Sequence, residues 1–171
     1  RWQEIGGPKL YAYLSIPALT PEFLAAVHSV NANLCIYAPQ LAPKELARLA
    51  AQRTVVEPAP VDLKFVAATA DAVITNGSLN SVSGFLAAGV PQLALPNNLE
   101  RHMVGRRLEL AGGGLMAPWH KPERLADKLR AVVGDRTYRR GAERFAARYN
   151  TTSAMQQCDS MMADLNRVLA G

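Results

Sequence analysis

Short unbroken apolar runs alternate with stretches of helical spacing along most of the chain. Residues 9–16, KLYAYLSI, are the first such run and predict a buried strand. Thr20-Pro21-Glu22 then offers an N-cap with proline at the first helical position, and the amphipathic stretch EFLAAVHSV follows it. The runs NLCIYAP (33–39), RTVVEPAP (53–60, broken by prolines), DAVIT (71–75) and PQLALP (91–96) predict four more strands. Between them, helices are predicted over 43–52 (PKELARLAAQ), 63–70 (LKFVAATA) and from Leu79 to Ala88, and another over 100–111. Gly112-Gly113-Gly114 can end that last helix with positive backbone angles, and LMAP reads as a sixth, short strand. Helical stretches over 122–133, 136–148 and 153–169 close the chain, with no internal repeat and no low-complexity tract.

Strand and helix alternating at this pitch imply crossover units. Continuous rather than alternating apolar strands imply a sheet covered on both faces. The expected fold is therefore α/β, a doubly wound parallel sheet of Rossmann-like type. Such a sheet binds ligands beyond the carboxyl ends of its strands, where the strand order reverses.

Composition narrows this picture. The chain has 171 residues, 49% of them hydrophobic, enough for one ordinary core. No apolar run approaches the roughly 18 residues of a membrane span, and no signal-peptide pattern opens the chain. It begins at Arg1 in a polar stretch ending Gly6-Gly7-Pro8, so residues 1–8 read as a linker and 9–171 as one domain of a longer protein. The formal charge is +5, but the basic residues are dispersed, with a mild concentration from Arg124 to Arg148. There they alternate with Ala, Leu, Phe and Tyr at helical spacing, the pattern of solvated helix faces rather than of a nucleic-acid surface. Cys35 and Cys158 are far apart in sequence and read as buried thiols in a reducing compartment, hence a cytoplasmic protein. His28, His102 and His120 lack helical metal-ligand spacing, so no protein-held metal is expected; nor is a cofactor expected.

The stretch ITNGSLNSVSGFLAAGVPQLALP, residues 74–96, carries the candidate chemistry. Strand DAVIT delivers the chain to Asn76, and Gly77 permits a sharp turn and a close approach to the backbone. The helix beyond starts with unpaired N–H groups, to which Ser78, Asn80 and Ser81 can add side-chain donors. A helix N-terminus carries about half a positive charge, so a phosphate or diphosphate fits there. Simple capping is the competing account, because Ser78 alone could serve as N-cap. The dinucleotide fingerprint, the P-loop and the G-x-S-x-G elbow are all absent.

The text NGSLNSVSGFLAAGVP, then PNNLERHMVGRRLELAGGG, resembles the donor-binding half of GT-B glycosyltransferases. The UDP-glucuronosyltransferase and macrolide-glycosyltransferase group is closest, and the MurG type more distant. That group's signature reads roughly H-G-G-x-N-T-x-x-E-A-L-x-x-G-V-P, then P-x-x-x-D-Q and N-A-x-R. Gly77, Asn80, Leu86, Gly89, Val90, Pro91, Pro96 and Arg107 match it without a gap, and Ser81 stands where the family has Thr or Ser. LYAYLSIP resembles the first strand and loop of that domain, and EPAPVDL the loop beside the nucleotide base.

The resemblance implies a site for a nucleotide diphosphate sugar, usually a uridine or thymidine one. The turn Asn76, Gly77, Ser78, Asn80 and Ser81 would hold the diphosphate, with Ser15 near it. Pro60 and Val61 would border the base, Gly84 would lie near the ribose, and Asn97, Glu100 and Arg101 would face the sugar. It further implies an inverting, metal-independent transfer to an acceptor hydroxyl. The acceptor site and catalytic base would come from an N-terminal domain outside this chain, toward which helix 153–169 would pack.

Asn76 replaces the family's His, Ser78 its second Gly, Gly84 its ribose-binding Glu, and Glu100-Arg101 its Asp-Gln pair. Asn76 keeps a hydrogen-bond donor but carries no charge, and Gly84 has no side chain to offer ribose. Two other readings accordingly stay open: a degenerate, non-catalytic GT-B domain acting as a binding or partner module, and a nucleotide-sugar epimerase-like domain.

Overall fold

A computed structural model describes residues 2–3, 6–14, 20–39, 41, 44, 54–117, 124–149, 162 and 167. Ser15, His120 and Cys158 lie outside these residues. So do the helices expected over 43–52 and 153–169, apart from the helical Lys44, Met162 and Arg167.

Six strands form one sheet: β1 (Lys9–Tyr13), β2 (Asn33–Tyr37), β3 (Thr54–Val56), β4 (Ala72–Thr75), β5 (Gln92–Ala94) and β6 (Gly114–Met116). Their order is β3-β2-β1-β4-β5-β6, and every neighbouring pair is parallel. Six helices are described: α1 (Pro21–Ser29), α2 (Leu63–Thr69), α3 (Leu79–Ala87), α4 (Leu99–Leu110), α5 (Leu125–Gly134) and α6 (Arg136–Tyr149). This is the expected doubly wound α/β fold, with strands two or three residues shorter than several of the apolar runs that announced them.

Alternation along each buried strand sends side chains to two separate cores. Leu10, Ala12, Leu34, Ile36, Ala72 and Ile74 join Phe23 and Val27 of α1 and Leu125 and Leu129 of α5 on one face. Tyr11, Cys35 and Val73 turn to the other face, against Val66 of α2 and Phe85 of α3. A third cluster, Val82, Leu86, Ala94, Leu108 and Ala142, joins α3, α4, β5 and α6. Each fully buried Leu or Phe side chain contributes about 1.5–3 kcal/mol of transfer free energy, so these faces hold the sheet in place.

Local signals set the ends of the helices. Thr20 caps α1 as predicted, its hydroxyl oxygen accepting the Phe23 N–H at 3.2 Å with Pro21 beside it. After α4 only Gly112 of the three glycines takes a positive φ, +70°. Gly113 and Gly114 serve packing instead. A Cβ on the first would strike Leu86, and one on the second would strike the Gln92 backbone. At its described positions the expected linker is tied to the domain. Trp2 donates its indole N–H to Thr69 Oγ1 at 3.1 Å, and Asn33 donates to the Gln3 carbonyl at 2.7 Å.

Strand order reverses between β1 and β4. The chain runs outward from β1 to β3 and then returns through α2 to the other side of β1. The crevice that such a reversal opens lies at the carboxyl ends of β1 and β4. Residues 76–81 begin there.

Candidate functional site

β4 ends at Thr75, and the next three residues turn the chain into α3. Asn76 is buried, and Gly77 takes φ +79° with its N–H donated to Thr75 Oγ1 at 3.2 Å. Ser78 occupies the N-cap position, and its carbonyl accepts the Val82 N–H at 2.9 Å. Its hydroxyl does not cap the helix. Instead Ser78 Oγ donates to Ser81 Oγ at 2.8 Å, one turn further on. The capping role available to Ser78 in the sequence is therefore not taken up, and no side chain caps the first turn of α3. That turn also holds no acidic residue and no basic one, so the helix end keeps its partial positive charge.

Gly77 has a packing role besides the turn that the sequence predicted for it. A Cβ there would face α4, 3.2 Å from the Arg101 carbonyl oxygen and 3.6 Å from the Arg101 and Ala94 Cβ atoms. The glycine thus brings the two candidate segments, 76–81 and 97–101, against each other. Asn98 caps α4 by accepting the Arg101 N–H at 2.9 Å, and Asn97 Oδ1 accepts from the Arg101 guanidinium at 2.9 Å. Glu100 and Asn97 are exposed, as is Asn80 on α3. Glu100 forms no ion pair with Arg101.

The expected base-side residues meet the turn in one cavity. Pro60, Val61 and Ser81 line a space of about 230 Å³ together with Tyr11, Tyr13, Leu63 and Phe85. Tyr11 fixes this wall, its hydroxyl accepting the Val61 N–H at 3.4 Å. Burial pushes its phenol up to about 12. Tyr13 stacks on Tyr37 of the neighbouring strand, with centroids 5.6 Å apart and planes 6° from parallel. Gly84 packs beside the same wall, since a Cβ on it would make ordinary contact with Leu63 at 3.4 Å. The sequence reading took the two tyrosines only as strand residues. Their i, i+2 spacing puts both on one sheet face, and that was the available signal.

Among the described residues no three His, Cys, Asp or Glu side chains cluster in a way that could hold a metal ion. None of the described helices is long and apolar enough to cross a membrane. A larger cavity, about 720 Å³, opens at the amino ends of β1, β4 and β5, where Arg136, Arg139 and Arg140 stand among Asp71, Asp135 and Glu143. Opposite charges balance there, and Arg139 is spent on the Asp71 carbonyl at 2.7 Å.

Comparison with known proteins gives this geometry a context. Residues 21–161 match the family described as erythromycin biosynthesis protein CIII-like, C-terminal domain. A zeaxanthin glucosyltransferase of Pseudescherichia vulneris is 37% identical over 78 residues, which is 45% of this chain and 19% of that protein. The glycosyltransferase VinC, solved in complex with DTDP, superposes with a TM-score of 0.77 at 19% identity, over 95% of this chain and 42% of its own. Os79 from O. sativa, solved in complex with UDP, superposes with a TM-score of 0.68 at 19% identity, over 84% of this chain and 36% of its own. The chain thus spans less than half the length of these relatives, and the two superpositions bear on its fold.

Proposed function

The chain belongs to the erythromycin biosynthesis protein CIII-like C-terminal domain family of glycosyltransferases, and on that premise we propose that it binds the nucleotide diphosphate sugar donor of such an enzyme. The observation that carries this reading is the uncapped first turn of α3 at the sheet's reversal point, joined through Ser81 to an aromatic-walled cavity. A helix end supplies N–H donors and positive potential to a diphosphate, and Tyr11, Tyr13 and Phe85 supply apolar walls to a nucleoside.

The reaction we infer is a single displacement with inversion. The acceptor oxygen bonds to the anomeric carbon as the bond from that carbon to the diphosphate oxygen breaks. The bonding pair leaves with the diphosphate, and the acceptor proton passes to a base supplied by a preceding N-terminal domain. The end of α3 and its hydroxyls oppose the charge that develops on the leaving group, without a metal ion. Ser15 belongs near the diphosphate in this reading, Gly84 near the ribose, Asn97 and Glu100 near the sugar, and the cytoplasm is the expected compartment. Asn76 and Gly84 favour a second reading, a domain that binds the donor within a partner assembly and transfers nothing.

A thermal-shift panel of nucleoside mono- and diphosphates and diphosphate sugars, run in a chelator, tests donor binding. A diphosphate at a hundred times its Kd stabilises by about 2.7 kcal/mol, a shift of roughly 5–10 °C for a domain of this size. No shift with any diphosphate, or a shift that requires magnesium, would count against the reading. Assay of the full-length protein for transfer then separates an enzyme from a binding module.

A further inference from the structure

The proposed donor site has a charge deficit. Asn76 is neutral, the first turn of α3 contains no basic residue, and a helix end amounts to about half a charge. A nucleoside diphosphate brings more than one full negative charge. Arg101 carries a full positive charge and borders this turn from α4. Its carbonyl oxygen and Cβ press on Gly77 from α4, at 3.2 and 3.6 Å from the position a Cβ there would take.

The other contacts of Arg101 hold it without neutralising it. Asn98 accepts its backbone N–H and Asn97 accepts one guanidinium N–H, both at 2.9 Å, and neither amide carries charge. Among the described residues no carboxylate pairs with Arg101, whereas Arg106 pairs with Glu109 and Arg130 with Asp127. A guanidinium has five N–H donors, and its fork matches phosphate oxygens in geometry.

We propose that Arg101 supplies the positive charge of the diphosphate site, holding the terminal phosphate from α4 while the first turn of α3 holds the diphosphate from the other side. This rests on the donor-binding reading above and moves Arg101 from the sugar, where the family resemblance put it, to the leaving group. Asn97 is its positioning residue.

The test is calorimetric titration of this chain with uridine and thymidine diphosphate and with the corresponding monophosphates, in a chelator. The variants are Arg101→Gln, Arg101→Lys and Asn97→Ala, each checked by thermal melting without ligand. Losing a charged hydrogen bond to the terminal phosphate should weaken diphosphate binding roughly 10- to 100-fold in Arg101→Gln. Monophosphate binding should change less than about threefold, Arg101→Lys should recover part of the loss, and Asn97→Ala should show a smaller loss in the same direction. Unchanged diphosphate affinity in Arg101→Gln overturns the assignment, as does an equal loss for monophosphate and diphosphate. Failure of the unaltered chain to bind any nucleoside diphosphate overturns the donor-binding reading and this assignment together.

Discussion

At residue 77 two separate demands fall on one glycine. Its φ of +79° is disfavoured for any residue with a Cβ, and that Cβ would approach the Arg101 carbonyl oxygen to 3.2 Å. The turn and the start of α4 therefore depend on the same missing methyl group. Gly77→Ala should cost about 1–2 kcal/mol of stability from the backbone angle alone. It should also loosen α4 against the turn, so nucleoside diphosphate affinity should fall in a variant that still unfolds cooperatively. Denaturant unfolding paired with a titration checks both effects. Unchanged affinity would show that the contact between turn and α4 is irrelevant to binding. Ser78 shows the same dependence on context, because it occupies the N-cap position yet its hydroxyl bonds Ser81.

Between elements, Glu109 does the joining. It leaves α4 with its side chain mostly buried, and Oε1 accepts the Met116 N–H of β6 at 3.1 Å. The same oxygen lies 3.7 Å from Lys128 Nζ of α5, which also donates to the Met116 carbonyl. One carboxylate thus ties two helices to the last strand of the sheet. Glu109→Ala leaves the Met116 N–H without its acceptor and should cost about 1–3 kcal/mol. Glu109→Gln keeps an acceptor oxygen and should cost less. Chemical unfolding of both variants distinguishes the two, and equal losses would assign the effect to the Lys128 ion pair instead. Helix starts of this kind were open to sequence reading where the signal was local, as at Thr20-Pro21. The Glu109 bridge was not, because it joins residues as far apart along the chain as Glu109 and Lys128.

For the molecule as a whole, Tyr11 links the central strand to the cavity wall at Val61. Burial raises its phenol from an ordinary 10.0 to about 12. The folded state therefore holds this proton more tightly than the unfolded chain does. The resulting stabilisation is complete below pH 10 and is lost as pH rises through about 12. Two units correspond to roughly 2–3 kcal/mol. The stability difference between the wild type and Tyr11→Phe, measured by urea unfolding, should accordingly shrink between pH 9 and pH 11, and parallel profiles would refute the assignment. What the sequence determined by itself was whatever depends on neighbours along the chain: the apolar strands, the helix signals, the crossover pitch and the turn at 76–81. Strand order, and with it the reversal point between β1 and β4, required the folded sheet. So did the cavity, because Tyr11 comes from β1 while Val61 and Ser81 come from two different crossovers, and they meet only when the strands pair. The pressing of Arg101 on Gly77 was likewise decided by tertiary structure, since local spacing specifies two helix starts but not the distance between them.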